Sequence, residues 1–226
     1  MKKNKEKRDG NRIRIWDIPT RVFHWSLVAL VSASFITGKL SAVWMPYHEV
    51  FGIIILGMLV FRLIWGVIGG YHSQFISFVR GPGKVFQYAA GLFSKNGSSY
   101  PGHNPLGGWS VLAMLGVLLI QVVTGLFSND DIFTEGPLYP YVDKVVSDLL
   151  TSIHRFNSYV IMGLVAVHVC AILFYLIVKR ENLIHPMITG YKPWMGDSEP
   201  SREKPWAAII STCIAAFCFY ILYFKL

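Results

Sequence analysis

Four histidines, His24, His48, His154 and His168, stand in or at the ends of long apolar runs. An imidazole is costly to place in an apolar layer. There it is functional by default, as a ligand to iron or as part of a transport path. His168 lies deep in its run, within Val165-Ala166-Val167-His168-Val169. His24 and His48 sit nearer the ends of theirs, where a polar anchor at an interface is the plainer alternative. His154 and His168 are fourteen residues apart. On an α-helix that spacing is about 21 Å of rise and a rotation to within roughly 40° of the starting face. One helix would then present two rings on one side at two depths.

The elements that must carry these rings follow from composition. The chain has 226 residues, of which 53% are hydrophobic and 15% charged. That balance excludes an ordinary soluble domain and fits a chain that crosses a membrane several times. A spanning helix needs about 20 apolar residues, and five segments qualify: 22–40, 50–68, 109–127, 149–178 and 206–224. Trp25, Trp44, Trp65, Trp109 and Trp206 fall near their ends, as interfacial belts require. The expected fold is all-α and membrane-embedded: a four-helix bundle plus a fifth, C-terminal transmembrane helix. Residues 1–15 read as a basic tail, 16–192 as the membrane domain, and 193–226 as a linker with the additional helix. The start of the chain lacks the short apolar stretch and small-residue cleavage site of a signal peptide, so the first helix is expected to be retained. Cys170, Cys213 and Cys218 lie in apolar runs without paired spacing and read as small apolar filler.

Basic residues set the orientation. Lys2, Lys3, Lys5, Lys7, Arg8, Arg12, Arg14 and Arg21 precede the first span. Arg80, Lys84 and Lys95 lie between the second and third, and Lys179, Arg180, Lys192, Arg202 and Lys204 between the fourth and fifth. The other side carries Lys39, Lys144 and Lys225 with the acids Asp130, Asp131, Glu135, Asp143 and Asp148. The positive-inside rule then places the N-terminus in the cytoplasm and the C-terminus in the periplasm of a bacterial inner membrane. Charge flanking apolar segments in this way excludes a nucleic-acid partner as its explanation. It also sorts the histidines by depth: His24 with His168 toward the cytoplasm, His48 with His154 toward the periplasm. The inner pairing requires the first helix to begin before Arg21, or the helices to tilt.

Two imidazoles facing each other across a bundle make an axial pair for a haem iron, and a six-coordinate haem favours electron transfer over oxygen chemistry. Arg155 adjoins His154, and Arg21 precedes His24 by one turn. Either could pair with a haem propionate or simply reach to lipid headgroups. Arg62 near Trp65 reads as a boundary charge. His72, His103 and His185 read as solvated loop residues. The stretch Gly102-His103-Asn104-Pro105-Leu106-Gly107-Gly108 reads as turn-rich entry to the third helix. Gly52, Gly57, Gly116 and Gly125 read as sites of close helix packing, with approach of a flat macrocycle as the other use.

At these residues the sequence resembles the prokaryotic cytochrome b561 family, which includes the b-type cytochrome subunits of nickel-iron hydrogenases. The resembling stretches are Trp16-Asp17-Ile18-Pro19-Thr20-Arg21-Val22-Phe23-His24-Trp25, His48-Glu49-Val50-Phe51-Gly52, Arg62-Leu63-Ile64-Trp65-Gly66, the two histidines His154 and His168, and Arg180 through Gly190. They cover about residues 13–192. The resemblance implies a four-helix core binding two haem b groups, with ligands at His24, His48, His154 and His168. It also implies electron transfer between the quinone pool and a hydrogenase, a dehydrogenase or a c-type cytochrome. A quinone is thus expected as substrate and membrane lipid as surroundings. The outward acids would suit a basic partner face. The alternatives are a standalone quinone oxidoreductase, for example one oxidising superoxide, a histidine-containing transporter, and a plain membrane anchor. A transporter is disfavoured by the lack of internal repeats and of acids in mid-span.

Overall fold

The computed structural model describes residues 12–92, 100–132, 134–196 and 198–224. Most of the basic tail, Lys95 and Lys225 lie outside the described residues. The long helices are α1 (Ile18–Thr37), α2 (Met45–Ile68, entered through a 3₁₀ turn), α4 (Pro105–Leu126), α5 (Lys144–Ile177) and α7 (Pro205–Phe224). Between them lie the short helices α3 (Pro82–Ala90) and α6 (Ile184–Thr189). Two strands, β1 (Arg12–Arg14) and β2 (Tyr191–Pro193), pair antiparallel, with Ile13 opposite Lys192. The all-α expectation therefore holds apart from this two-stranded clasp.

Among the described residues, four helices are long and apolar enough to cross a membrane: Ala42–Ile68, Pro105–Leu126, Lys144–Ile177 and Pro205–Phe224. The C-terminal helix is one of them. Helix α1 has 20 residues but is not one of the four. Arg21, His24 and several hydroxyl side chains dilute its apolar run. It begins at Ile18, before Arg21, as the inner pairing requires.

Local chemistry sets the helix starts. Asp17 caps α1 by accepting the Thr20 N–H at 2.9 Å, Asn104 caps α4 through Gly107 N–H at 2.7 Å, and Asp143 caps α5 through Val146 N–H at 2.9 Å. Pro82, Pro105 and Pro205 occupy first helical positions, where a missing N–H costs nothing.

The chain divides into two compact units. The first comprises Met1–Val22, Ile64–Leu112 and His168–Ala208. Its core is Ile15, Trp16, Trp65 and Phe78 around a buried polar node. Ile15 and Trp16 N–H groups donate to Gly190 O, and Gly190 takes a left-handed φ of 89° beneath Trp16 O, where a side chain would not fit. The opening motif and the Arg180–Gly190 stretch are thus one piece of structure. The linker is held here too. Ser201 N–H donates to Arg14 O at 2.8 Å, Glu203 pairs with Arg14, and Lys204 Nζ donates to Ile68 O at 3.0 Å.

The second unit comprises Phe23–Leu63, Ala113–Val167 and Ile209–Leu226. Ile53, Ile55, Leu59, Leu115, Leu118, Val122, Leu126 and Ile161 form its apolar core. Ser147 donates to Phe127 O at 2.6 Å and Asn129 Nδ2 to Ser147 Oγ at 2.6 Å, fixing the turn between α4 and α5. Gly57 packs under Ala215 O of α7, the close helix approach expected of it. Outward positions such as Ile120, Val123, Phe156, Val167, Ile210 and Phe217 are exposed and apolar, as lipid contact requires.

Candidate haem site

His48 on α2 and His154 on α5 come together in the second unit. Their ring centroids are 6.0 Å apart and the planes cross at 83°. Each ring is tethered through the same nitrogen. His48 Nδ1 donates to Ser34 O at 2.8 Å, and His154 Nδ1 donates to Gln121 O at 2.9 Å. A carbonyl on Nδ1 fixes the tautomer and leaves the Nε2 lone pair for a metal, the usual outer support of a ligating histidine. Gln121 Nε2 lies 3.1 Å from His154 Nε2, and Asn157 Nδ2 donates to Gln121 Oε1 at 2.8 Å.

The rings line a cavity of about 400 Å³, together with Gly52, Glu49, Lys39, Asp130 and Arg155. Glycines make room for the imidazoles. A Cβ at Gly38 would stand 2.9 Å from the His48 ring, and one at Gly125 2.9 Å from the His154 ring. Nothing lies within 4 Å of a Cβ at Gly52 or Gly116, so neither serves as a tight helix contact.

This arrangement suits a haem. His48 and His154, with ring centroids 6.0 Å apart, are the residues that would hold a haem iron in this cavity. The macrocycle brings its own equatorial donors, so two protein ligands suffice. Among the described residues no group of three or more His, Cys, Asp or Glu side chains is placed to hold a bare ion. When bound, haem supplies a one-electron couple tuned by its axial ligands; the chain supplies the tethered rings and an apolar wall.

A model of the prokaryotic cytochrome b561 family matches residues 15–190. The chain belongs to the prokaryotic cytochrome b561 family. A similar protein is the probable Ni/Fe-hydrogenase B-type cytochrome subunit of Rhizobium leguminosarum bv. viciae, 23% identical over 217 residues, covering 79% of this chain and 87% of that one. No solved structure matches significantly. As a b561-family cytochrome with four apolar helices, the chain is a multi-pass membrane protein whose family implies haem b.

The other expected site residues fall as follows. His24, in the second unit, meets the Trp25 ring edge-on at 5.0 Å. His168 opens the last segment of the first unit. Arg155 lines the cavity. Arg21 donates Nη1–H to Ile188 O at 2.5 Å, a contact between α1 and α6 within the first unit.

Several readings need correction. Trp65 is no interfacial residue: it has no exposed surface, and its Nε1–H points at Asp17 Oδ1 and Thr20 Oγ1. Arg62 is 4% exposed, so it is no boundary charge in headgroups. His72 is 5% exposed and donates Nε2–H to Glu199 O at 2.8 Å. His103 is packed between Trp16 and Phe78, at 4.7 and 4.6 Å. Of these three only His185 is exposed, and it stands on α6 rather than in a loop. The acids expected to face outward are partly spent: Lys144 pairs with Asp131 at 2.6 Å and Asp148 at 2.9 Å, and Asp130 caps Ile132 and Thr134 N–H groups. Gln121, Asn157, Gly38 and Ser34 were missed. An Asn and a Gln inside apolar runs were the available signal, since buried amides in a membrane seek partners.

Proposed function

We propose that this chain is a di-haem electron carrier, taking electrons between the quinone pool and a redox partner protein. His48 with His154 holds one haem b and His24 with His168 the other, with Arg155 and Arg21 toward the propionates. The N-terminus lies in the cytoplasm of a bacterial inner membrane and the C-terminus in the periplasm, so the two haems form a path across the bilayer through five spanning helices. The likeness to a protein named as a hydrogenase cytochrome subunit supports a hydrogenase as the partner.

The observation that carries the reading is the matched tethering of His48 and His154, each by Nδ1 to a main-chain carbonyl. That device puts the acceptor lone pair of each ring on Nε2; at His154 it meets the Gln121 side-chain amide at 3.1 Å, which would have to yield it to iron. The test is haem content by pyridine haemochrome, with reduced-minus-oxidised spectra, for the wild type, His154→Ala and His168→Ala. Two b haems in the wild type and one in each variant is the expected result. A wild type without haem, produced with haem in excess, would return the histidines to transport or structure.

A further inference from the structure

Asn157 lies one helical turn beyond His154 on α5 and is 6% exposed. A buried amide within a spanning helix is costly unless its polar atoms find partners. Asn157 Nδ2 reaches two partners on α4: Val117 O at 2.9 Å and Gln121 Oε1 at 2.8 Å. These lie one turn apart, so one side chain stitches α5 to α4 in a single register. Gln121 connects that stitch to the ligand. Its carbonyl takes the His154 Nδ1–H, its side-chain amide faces His154 Nε2, and Thr124 Oγ1 stands 3.4 Å from Nδ1. At His48, Nδ1 donates to a main-chain oxygen, Ser34 O, at 2.8 Å.

We propose that Asn157 and Gln121 are positioning residues for His154, setting the depth of its ring and the near-perpendicular crossing with His48. The inference rests on reading His48 and His154 as axial ligands. Without the stitch, α5 can turn or slide against α4, and the ring turns with it. The electronic signature of a ferric bis-imidazole haem depends on the angle between its two ligand planes. That signature therefore reads out the stitch in a way that general stability does not.

The experiment uses the purified, haem-loaded chain. Ferric electron paramagnetic resonance is recorded for the wild type, Asn157→Leu and Gln121→Leu, with His154→Ala assigning which signal belongs to the pair. Haem retention is followed by transfer to an excess of a haem-free acceptor protein. In Asn157→Leu the expected result is a shift of the assigned signal and a retention of that haem weaker by about 10–100-fold, with the second haem unchanged. Gln121→Leu, which keeps the Asn157–Val117 bond, covers the case in which Asn157→Leu does not fold; it should shift the same signal. Unchanged signal and retention in a folded variant would overturn the positioning role while leaving the haem reading intact. A wild type with no haem would overturn both.

Discussion

The indole N–H of Trp65 meets the carboxylate of Asp17 at 3.3 Å, and neither residue has any exposed surface. The same carboxylate accepts from Thr20 N–H, Ser73 Oγ at 2.9 Å and Ser201 Oγ at 3.4 Å. Four donors converge on a group that, as a carboxylate, only accepts. Asp17→Ala would strip an N-cap and orphan several buried donors, at about 2–4 kcal/mol. Thermal denaturation in detergent, followed by circular dichroism, should show a clear loss of stability. A variant within about 0.5 kcal/mol of wild type would mean the node is dispensable.

Gly38 and Gly125 leave no space for a Cβ beside the two tethered rings. Gly125→Ala should displace His154 and lower haem content, while Gly163→Ala should be silent, because nothing lies within 4 Å of a Cβ there. Haemochrome content of both variants decides the point. Full haem in Gly125→Ala would show that the ring can yield.

If His48 and His154 serve one iron, their losses do not add. His48→Ala and His154→Ala should each remove the same haem, and the double variant should lose no more than either alone. Two haems lost in the double variant, one from each single change, would assign these residues to different irons.

His72 predicts a dependence on pH. Burial lowers its pKa below the ordinary histidine value, against the opposing pull of its Glu199 hydrogen bond and the Asp17 charge. The folded chain prefers the neutral ring. Its contribution is therefore fully present above about pH 6.5 and is lost as pH falls toward the lowered folded value, because the unfolded state then binds more protons. The slope from one such group is at most about 1.4 kcal/mol per pH unit. Melting curves between pH 7.5 and 5.5 should converge for wild type and His72→Gln as the pH drops. Parallel curves would remove His72 as the cause.

The sequence disclosed whatever depends on spacing along one helix or on the length of an apolar run. Four of the five expected spans were legible because each is a continuous apolar stretch, whereas Arg21, His24 and hydroxyl side chains interrupt that of α1. The His48–His154 pair was legible because helix direction alternates and depth follows from it. Contacts between distant segments were not. Trp65 reads as an interfacial tryptophan because its helix ends there, and nothing nearby in sequence announces that Asp17 waits beneath it. His72 and His103 lie in polar, turn-rich stretches, yet Glu199, Trp16 and Phe78 cover them from far along the chain. Gly38 and Ser34 matter only through the ring that folds against them.

The cap of α1 has an unusual order of assembly. Asp17 and Ile18 are made 184 and 185 residues before Ser201 and Glu203, which complete their hydrogen bonds. A ribosome adding about 5–20 residues per second therefore leaves the first helix incompletely tied for several seconds or more, until the linker before α7 emerges. The motif around Asp17 is completed only once Ser201 and Glu203 have emerged, so a chain cut short before Ser201 would keep every candidate haem ligand and still lack part of the joint on which α1 is seated.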